Sequence, residues 1–258
     1  MKKESGYKIA IGVLVLIIIL EWVFIITRPK ILPPKIPVAI KGKIAIVIDD
    51  WGYNLNNLHM LEHIKHPLTC SILPNLSYSR SVAKELHGRG VQIILHLPME
   101  PHEKYRLEEN TILTAMDEAT IRSIIERDLA SVIYAKGVSN HMGSRATEEP
   151  RTMEIIFKEL KKRRLYFLDS VVSSASICSE LARKTGLGFA KRGVFLDNTE
   201  ESGYIRQQIY KLKTKAGLYG HAIGIGHDRK TTLEVLREIM PQLEKEGYRF
   251  VFVSELVK

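Results

Sequence analysis

The sequence predicts an α/β protein, a barrel of seven or eight mostly parallel strands wrapped in helices, preceded by one N-terminal transmembrane helix. Short continuous apolar runs recur along the chain, as in strands that a parallel sheet buries on both faces. Helical patterns alternate with these runs from residue 43 onward, which is typical of a barrel. A longer apolar run near the N-terminus is too long for a strand. A doubly wound open sheet fits the same alternation and remains the second possible architecture.

Residues 9–27 form the predicted transmembrane anchor. Its sequence, IAIGVLVLIIILEWVFII over residues 9–26, contains Glu21 as its only charge and is long enough to cross a bilayer. A signal peptide that uses only the apolar residues 9–20 is the alternative, but no small-x-small cleavage site follows, which favours an uncleaved anchor. A short tail, residues 1–8, precedes the anchor, and a proline-rich spacer, residues 28–42, follows it. Basic residues flank both ends, so the charge pattern leaves the orientation open.

Residues 43–258 make up the predicted α/β domain. The spacing of apolar residues decides which of its segments are helices and which are strands. For example, Ile121, Ile124, Ile125 and Leu129 recur at intervals of three and four and predict one buried helix face. The predicted strands are residues 43–48, 68–73, 91–95, 137–139, 165–168, 187–190, 221–225 and 249–253. The predicted helices include residues 117–135, 151–164, 203–216 and 231–246.

The net charge of +9 does not by itself indicate a nucleic-acid partner. The one compact basic cluster, residues 158–164, lies in a helix that also carries Glu154 and Glu159, as a solvated helix face would. No motif of a nucleic-acid-binding module is present. A dinucleotide cofactor is not expected either, because GIGHD at residues 224–228 lacks the glycine spacing of a phosphate-binding loop.

Side chains capable of chemistry stand where five of the apolar runs end. They are Asp49, Asp50, His96, His141, Asp169 and His227. Because the carboxyl ends of parallel strands meet at one end of a barrel, we expect these side chains to lie close together. Imidazoles combined with carboxylates favour zinc or another borderline divalent ion over an all-oxygen calcium or magnesium site. The sequence therefore predicts a metal-dependent hydrolase.

Each of these residues also has a structural interpretation. One carboxylate of the pair Asp49 and Asp50 could cap a helix, although two acids permit one to bind metal while the other takes a proton. His96 could be a core histidine, but the rigid Leu-Pro-Met-Glu loop after it favours a ligand. His141 lies in a loop whose other polar groups would suit a polar substrate. The pairs Asp169-Ser170 and His227-Asp228 could instead cap helices, and Asp197 is a weaker candidate.

The motifs IAIVIDDWG, ILHLPMEP, GVSNHMGSRAT, YFLDS, FLDN and AIGIGH, in this order, resemble those of the divergent polysaccharide deacetylase family, a branch of the glycoside hydrolase/deacetylase superfamily. The resemblance covers residues 43 to about 256. It implies a deacetylase-like barrel and an acetylated glycan as the substrate. It also implies that Asp49 is the catalytic base, that Asp50 is a metal ligand and that His227 is a late catalytic histidine.

The same resemblance assigns the remaining site residues. Arg145 and Asp169 match the positions of an orienting arginine and aspartate in the wider deacetylase group. That group completes its metal site with an H-[ST]-x-x-H pair, whereas here Glu100 stands four residues after His96. His141, from another strand, is therefore the candidate for the second imidazole beside Asp50 and His96.

The leading functional hypothesis is a zinc-dependent hydrolase that removes N- or O-acetyl groups from a cell-envelope glycan. It would be a single-pass membrane protein with its catalytic domain outside the cytoplasm; its oligomeric state is left open. A glycan-binding or envelope-assembly module with little or no catalysis is the alternative, because the paired histidine motif is broken at Glu100. A glycosidase that uses Asp49 and Asp169 as its carboxylate pair is also possible, but it would leave the histidines without a role.

Overall fold

The computed structural model describes residues 2–28 and 39–258, which belong to two separate units. The first unit contains helix α1 (Lys2–Thr27), which includes residues 2–8 of the predicted tail. The apolar stretch Gly6–Thr27 has a mean hydropathy of 3.1 and is long enough to cross a membrane, a property that signal sequences share. Residues 29–38, which include most of the predicted spacer, lie outside the described residues. The second unit begins at Ala39 and contains the α/β domain.

The α/β domain alternates strands with helices. The strands are β1 (Gly42–Trp51), β2 (Thr69–Ile72), β3 (Gln92–Met99), β4 (Gly137–Met142), β5 (Tyr166–Asp169), β6 (Phe189–Lys191), β7 (Val194–Phe195), β8 (His221–His227) and β9 (Tyr248–Phe250). The helices are α2 (Ser79–Gly88), α3 (Glu118–Ser131), α4 (Pro150–Lys162), α5 (Cys178–Thr185), α6 (Ser202–Tyr219) and α7 (Lys230–Lys245). Short 3-10 helices cover Leu58–His63, Ala146–Glu148 and Val253–Glu255.

The strands form one parallel sheet in the order β6-β5-β4-β3-β2-β1-β8-β7, and β9 pairs with the start of β1. The predicted α/β barrel of parallel strands is thereby confirmed, with one qualification. Strands β6 and β7 are separated in sequence only by Arg192 and Gly193, yet within residues 39–258 no bridge joins them, so the barrel stays open between them. We call this gap the seam. The sequence prediction missed β7 because two residues are too few to show a strand pattern.

Apolar side chains cover both faces of the sheet. Along β1, Ile44, Ile46 and Ile48 pack in the large core between the sheet and the helices. The alternate residues Ala45 and Val47 belong to a second core inside the barrel, with Ile94, Leu168, Ile223, Ile225 and Val251. Since successive strand residues face opposite sides, burial of both faces explains why the runs in the sequence are continuously apolar.

Candidate metal centre and active site

The carboxyl end of β1 directs two adjacent acids towards one site. Asp49 continues the inward phase of Ala45 and Val47, and it is almost completely buried. Asp50 would face the opposite side if the strand continued regularly, but its φ of 66° is left-handed and breaks the alternation. As a result, carboxylate oxygens of both residues lie near Nε2 of His96, at 3.6 Å for Asp49 and 3.4 Å for Asp50.

Asp50, His96 and His141 form a cluster whose geometry fits a metal ion. Oδ1 of Asp50 lies 3.4 Å from Nε2 of His96 and 3.2 Å from Nδ1 of His141, and one ligand atom from each residue lies within 4.8 Å of the others. Ligands about 2.1 Å from a tetrahedral zinc ion stand about 3.4 Å apart, close to these distances. Oδ1 of Asp50 is also buried without a hydrogen-bond donor, so a cation would satisfy it.

The electrostatics of the two acids differ. Burial alone would raise the pKa of Asp50, but the close imidazoles of His141 and His96 hold it well below its usual value, so Asp50 is ionised. The pKa of Asp49 is raised because burial outweighs the attraction of His96, and the neighbouring charge of Asp50 adds to the rise. Asp49 is therefore more basic than Asp50, and its Oδ1 is buried without a hydrogen-bond donor.

A chain of hydroxyl groups fixes the ring of His96. Its Nδ1 lies 2.8 Å from Oγ of Ser139, which lies 2.6 Å from Oγ of Ser71. His96 and Ser139 are register partners in the paired strands β3 and β4, so the sheet itself brings them together. With Nδ1 occupied in this way, Nε2 is the nitrogen that faces Asp50.

On the other side of Asp49, a buried aspartate holds His227. Asp49 and His227 are register partners in β1 and β8. Nδ1 of His227 lies 2.8 Å from Oδ1 of Asp197, whose Oδ2 accepts from the His227 backbone N–H and from Oγ1 of Thr232. Burial alone would lower the pKa of His227, but the hydrogen bond and charge of Asp197, with Asp50 and Asp49, raise it. Asp197, the weaker candidate in the sequence, thus directly contacts His227.

Arg192 is a site residue that the sequence did not reveal. It lies in the turn at the seam, where Nε and Nη2 donate to the backbone oxygens of Ser170 and Val171 at 2.5 and 2.7 Å. Its guanidinium carbon is 3.6 Å from the centre of the Phe195 ring, which stacks on His227 with a centroid separation of 5.9 Å. Burial lowers the pKa of Arg192, while the charges of Asp169 and Asp49 act in the opposite direction. No apolar run marks this position.

Arg145 and Asp169 have other partners. Nη1 of Arg145 lies 3.2 Å from Oε1 of Glu100, and more than half of the arginine side chain is exposed. Asp169 accepts hydrogen bonds from the Val171 N–H and from Oγ of Ser176, each at 2.7 Å, and so shapes the loop after β5. Within the α/β domain described, neither residue forms a hydrogen bond or ion pair with Asp49. Of the sequence-predicted residues, Asp49, Asp50, His96, His141 and His227 come together.

The fold and these residues identify the class of protein. The sequence model of the divergent polysaccharide deacetylase family matches residues 46–257, and the chain belongs to this family. The uncharacterized protein YibQ of Escherichia coli K12 is 35% identical over 205 residues, which are 80% of this chain and 64% of the relative. The chain thus covers less than two thirds of the length of that relative.

Solved structures share the fold at low sequence identity. The uncharacterized protein ATU2773 from Agrobacterium tumefaciens superimposes with a TM-score of 0.80 at 21% identity, over 87% of this chain and 92% of that chain. The catalytic domain of peptidoglycan N-acetylglucosamine deacetylase from Eubacterium rectale gives a TM-score of 0.52 at 14% identity, over 88% of this chain and 92% of that chain. The partly open parallel barrel is therefore a deacetylase-type fold.

Proposed function

We propose that this protein is a metal-dependent hydrolase that removes acetyl groups from a cell-envelope glycan. The observation that carries the proposal is the convergence of the cluster Asp50, His96 and His141 on a point beside Asp49, with His227 on the other side of Asp49. Hydrolysis of an amide or ester needs a group that accepts a proton and one that donates a proton on either side of the reacting carbonyl. Membership in the polysaccharide deacetylase family supports an acetylated glycan as the substrate.

Asp50, His96 and His141 would hold the metal. Two imidazoles and one carboxylate suit zinc better than a hard oxygen-seeking cation. Zinc bound there would supply Lewis-acid chemistry to the acetyl carbonyl. The contact between Ser139 and Nδ1 of His96 keeps Nε2 directed to the metal position.

Asp49 and His227 would move the protons. Oδ1 of Asp49 has no hydrogen-bond donor and a raised pKa, so it can accept a proton from the attacking water. His227 has a raised pKa, and because Asp197 occupies its Nδ1, its Nε2 can donate a proton to the departing amine or alkoxide. Arg192 would support both residues, through its charge near Asp49 and through Phe195 against His227.

The same proposal includes a location for the protein. A helix of the length and hydropathy of α1 supports single-pass anchoring in the membrane, and a cell-envelope glycan as the substrate would suit a catalytic domain outside the cytoplasm. Arg145 and Asp169 would position the loops around the site, through Glu100 and Ser176, rather than contact the reacting atoms.

The decisive experiment combines metal analysis with acetate release, on the full chain in detergent. We expect about one zinc per chain and acetate release from acetylated chitooligosaccharides or peptidoglycan fragments. His141→Ala should lose both, whereas His59→Ala, which changes an exposed histidine on the 3-10 helix after β1, should retain both. Zinc that stays bound in His141→Ala would remove His141 from the site. Bound zinc without acetate release from any of these glycans would favour the glycan-binding module.

A further inference from the structure

We infer that the seam of the barrel binds a sugar that carries a phosphate or carboxylate group. The inference rests on the proposed function only in taking the ligand to be a glycan. Two cavities of about 620 and 520 Å³ lie on either side of the turn between β6 and β7, and they share Arg192, Gly193 and Lys215 as lining residues. We call the two together the seam cleft. Cavities of this size accommodate small ligands such as one or two sugar rings.

The seam cleft is lined by cations and by no acidic side chain. Lys191, Lys215 and Lys258 line the first cavity, Lys211 and Lys215 line the second, and no aspartate or glutamate lines either within the described residues. In the described part of the chain, Lys191, Lys211 and Lys215 have no carboxylate oxygen within 4.0 Å. By contrast, the surface residues Lys184, Lys213 and Lys230 each pair with a glutamate. Like charges that line a concave surface focus a positive potential there. Asp169 and Asp49 partly compensate the charge of Arg192, and Asp169 also interacts with Lys191, so it is the lysines together that leave the seam cleft positively charged.

The second cavity is joined to the candidate active site through Phe195. Phe195 lines it, and this ring is packed between the Arg192 guanidinium and the His227 imidazole. Tyr204, Asn198 and Gln208 also line the cavity and offer an aromatic face and hydrogen-bonding groups of the kind that hold sugars. A glycan whose acetylated residue reached His227 could therefore place a neighbouring residue in the seam cleft.

The chemistry of the lysines selects an anionic substituent. Ammonium groups bind phosphate and carboxylate by charge-assisted hydrogen bonds, whereas a neutral sugar gains little from them. Phosphate and carboxylate share this recognition chemistry. A phosphosugar and a sugar acid are therefore tested as separate arms.

The test is calorimetric titration of the full chain in detergent, made metal-free so that the candidate catalytic centre does not contribute. We expect N-acetylglucosamine 6-phosphate, N-acetylmuramic acid or both to bind about tenfold more tightly than neutral N-acetylglucosamine. The variants Lys191→Glu and Lys211→Glu should each weaken the anionic sugar about tenfold. Lys158→Glu changes an exposed lysine on α4, which lines neither cavity, and serves as the charge-matched control.

The inference is overturned if neither anionic sugar binds better than the neutral one, or if Lys158→Glu weakens binding as much as Lys191→Glu. Inorganic phosphate that binds as tightly as the phosphosugar would overturn the sugar part of it. Failure of the proposed function gives a different pattern. If the protein releases no acetate but binds the anionic sugar in a way that depends on Lys191, the proposed hydrolase activity is wrong and the inference about the seam cleft stands. If it releases acetate without such binding, the inference about the seam cleft is wrong and the hydrolase activity stands.

Discussion

Two histidines at the same end of the barrel are held in different ways. His96, in the β3–β4 half of the sheet, has its Nδ1 against a neutral hydroxyl, Ser139, which contacts a second hydroxyl, Ser71. His227, in the half next to the seam, has its Nδ1 against the buried carboxylate of Asp197. A hydroxyl orients the imidazole without placing a charge beside it, whereas a carboxylate stabilises the protonated ring. The partner on Nδ1 thus suits one ring to bind a metal and the other to donate a proton.

The first prediction separates the two roles. His227→Ala should lower kcat for acetate release about 100- to 10,000-fold while zinc stoichiometry stays near one per chain, because a general acid is lost and the ligand cluster is not. His96→Ala should lose the zinc itself. Elemental analysis alongside steady-state kinetics checks both. Loss of zinc in His227→Ala would mean that the two halves of the site do not have separate roles.

The second prediction concerns the carboxylate of Asp197 that holds His227. Asp197→Asn should lower kcat up to about a hundredfold and move the basic limb of the pH–rate profile to lower pH. Burial lowers the pKa of His227 and the carboxylate of Asp197 raises it, so the pKa of His227 falls when that carboxylate is removed. The acid form of the ring is then lost at a lower pH.

Thr232→Val is the control for this variant. It removes one donor to Asp197 but keeps the carboxylate, so the basic limb should not move to lower pH. The profile is measured from acetate release across the pH range at saturating substrate. A basic limb that moves upward in Asp197→Asn would contradict the assignment of His227 as the proton donor.

The third prediction concerns the hydroxyl of Ser139 that holds His96. Ser139→Ala should weaken zinc binding about 10- to 100-fold, because His96 loses the contact that orients its ring. At saturating zinc, kcat and the basic limb should stay close to those of the unaltered protein. Competition with a zinc chelator measures the affinity. A change in the pH profile without a change in zinc affinity would show that Ser139 acts on proton transfer instead.

The fourth prediction concerns the stack that joins the seam to His227. Phe195→Leu should lower kcat about two- to fivefold, since the ring loses its contacts with Arg192 and His227 but a side chain of similar bulk remains. Zinc affinity should be unchanged because Arg192 and His227, which the ring contacts, are not proposed metal ligands. Steady-state kinetics and chelator competition together test this, and an unchanged kcat would mean that the stack does not position His227.

Long apolar runs made most of the fold predictable. β1, β3 and β8 are buried on both faces and carry their functional polar residues in their second halves, so the sequence located both the strands and Asp49, Asp50, His96 and His227. It ended β3 too early, because the strand continues past His96 to Met99. The sequence also predicted His141 beside them, which the register of β3 and β4 explains, since His141 pairs with Pro98 two residues beyond His96.

The residues that the sequence missed lie at the seam. β7 has two residues, too few for a periodic pattern, so Phe195 within it gave no signal, and Asp197 just after it was only a weak candidate. Arg192 follows the three-residue strand β6 and resembles any basic turn residue until the topology places β6 and β7 at opposite edges of the sheet. The partner of Arg145 was equally hidden. Glu100 is forty-five positions away in sequence and meets Arg145 only because β3 and β4 are adjacent.

The left-handed backbone of Asp50 has a consequence for the protein without its metal. A non-glycine residue at a φ of 66° costs about 1 kcal/mol or more, and here it also brings one carboxylate close to another. A cation held by Asp50 would offset both costs, so zinc would raise the melting temperature of the whole domain as well as serve the reaction. Heat resistance would then depend on zinc supply, and a chain depleted of metal would unfold more readily as well as lose activity.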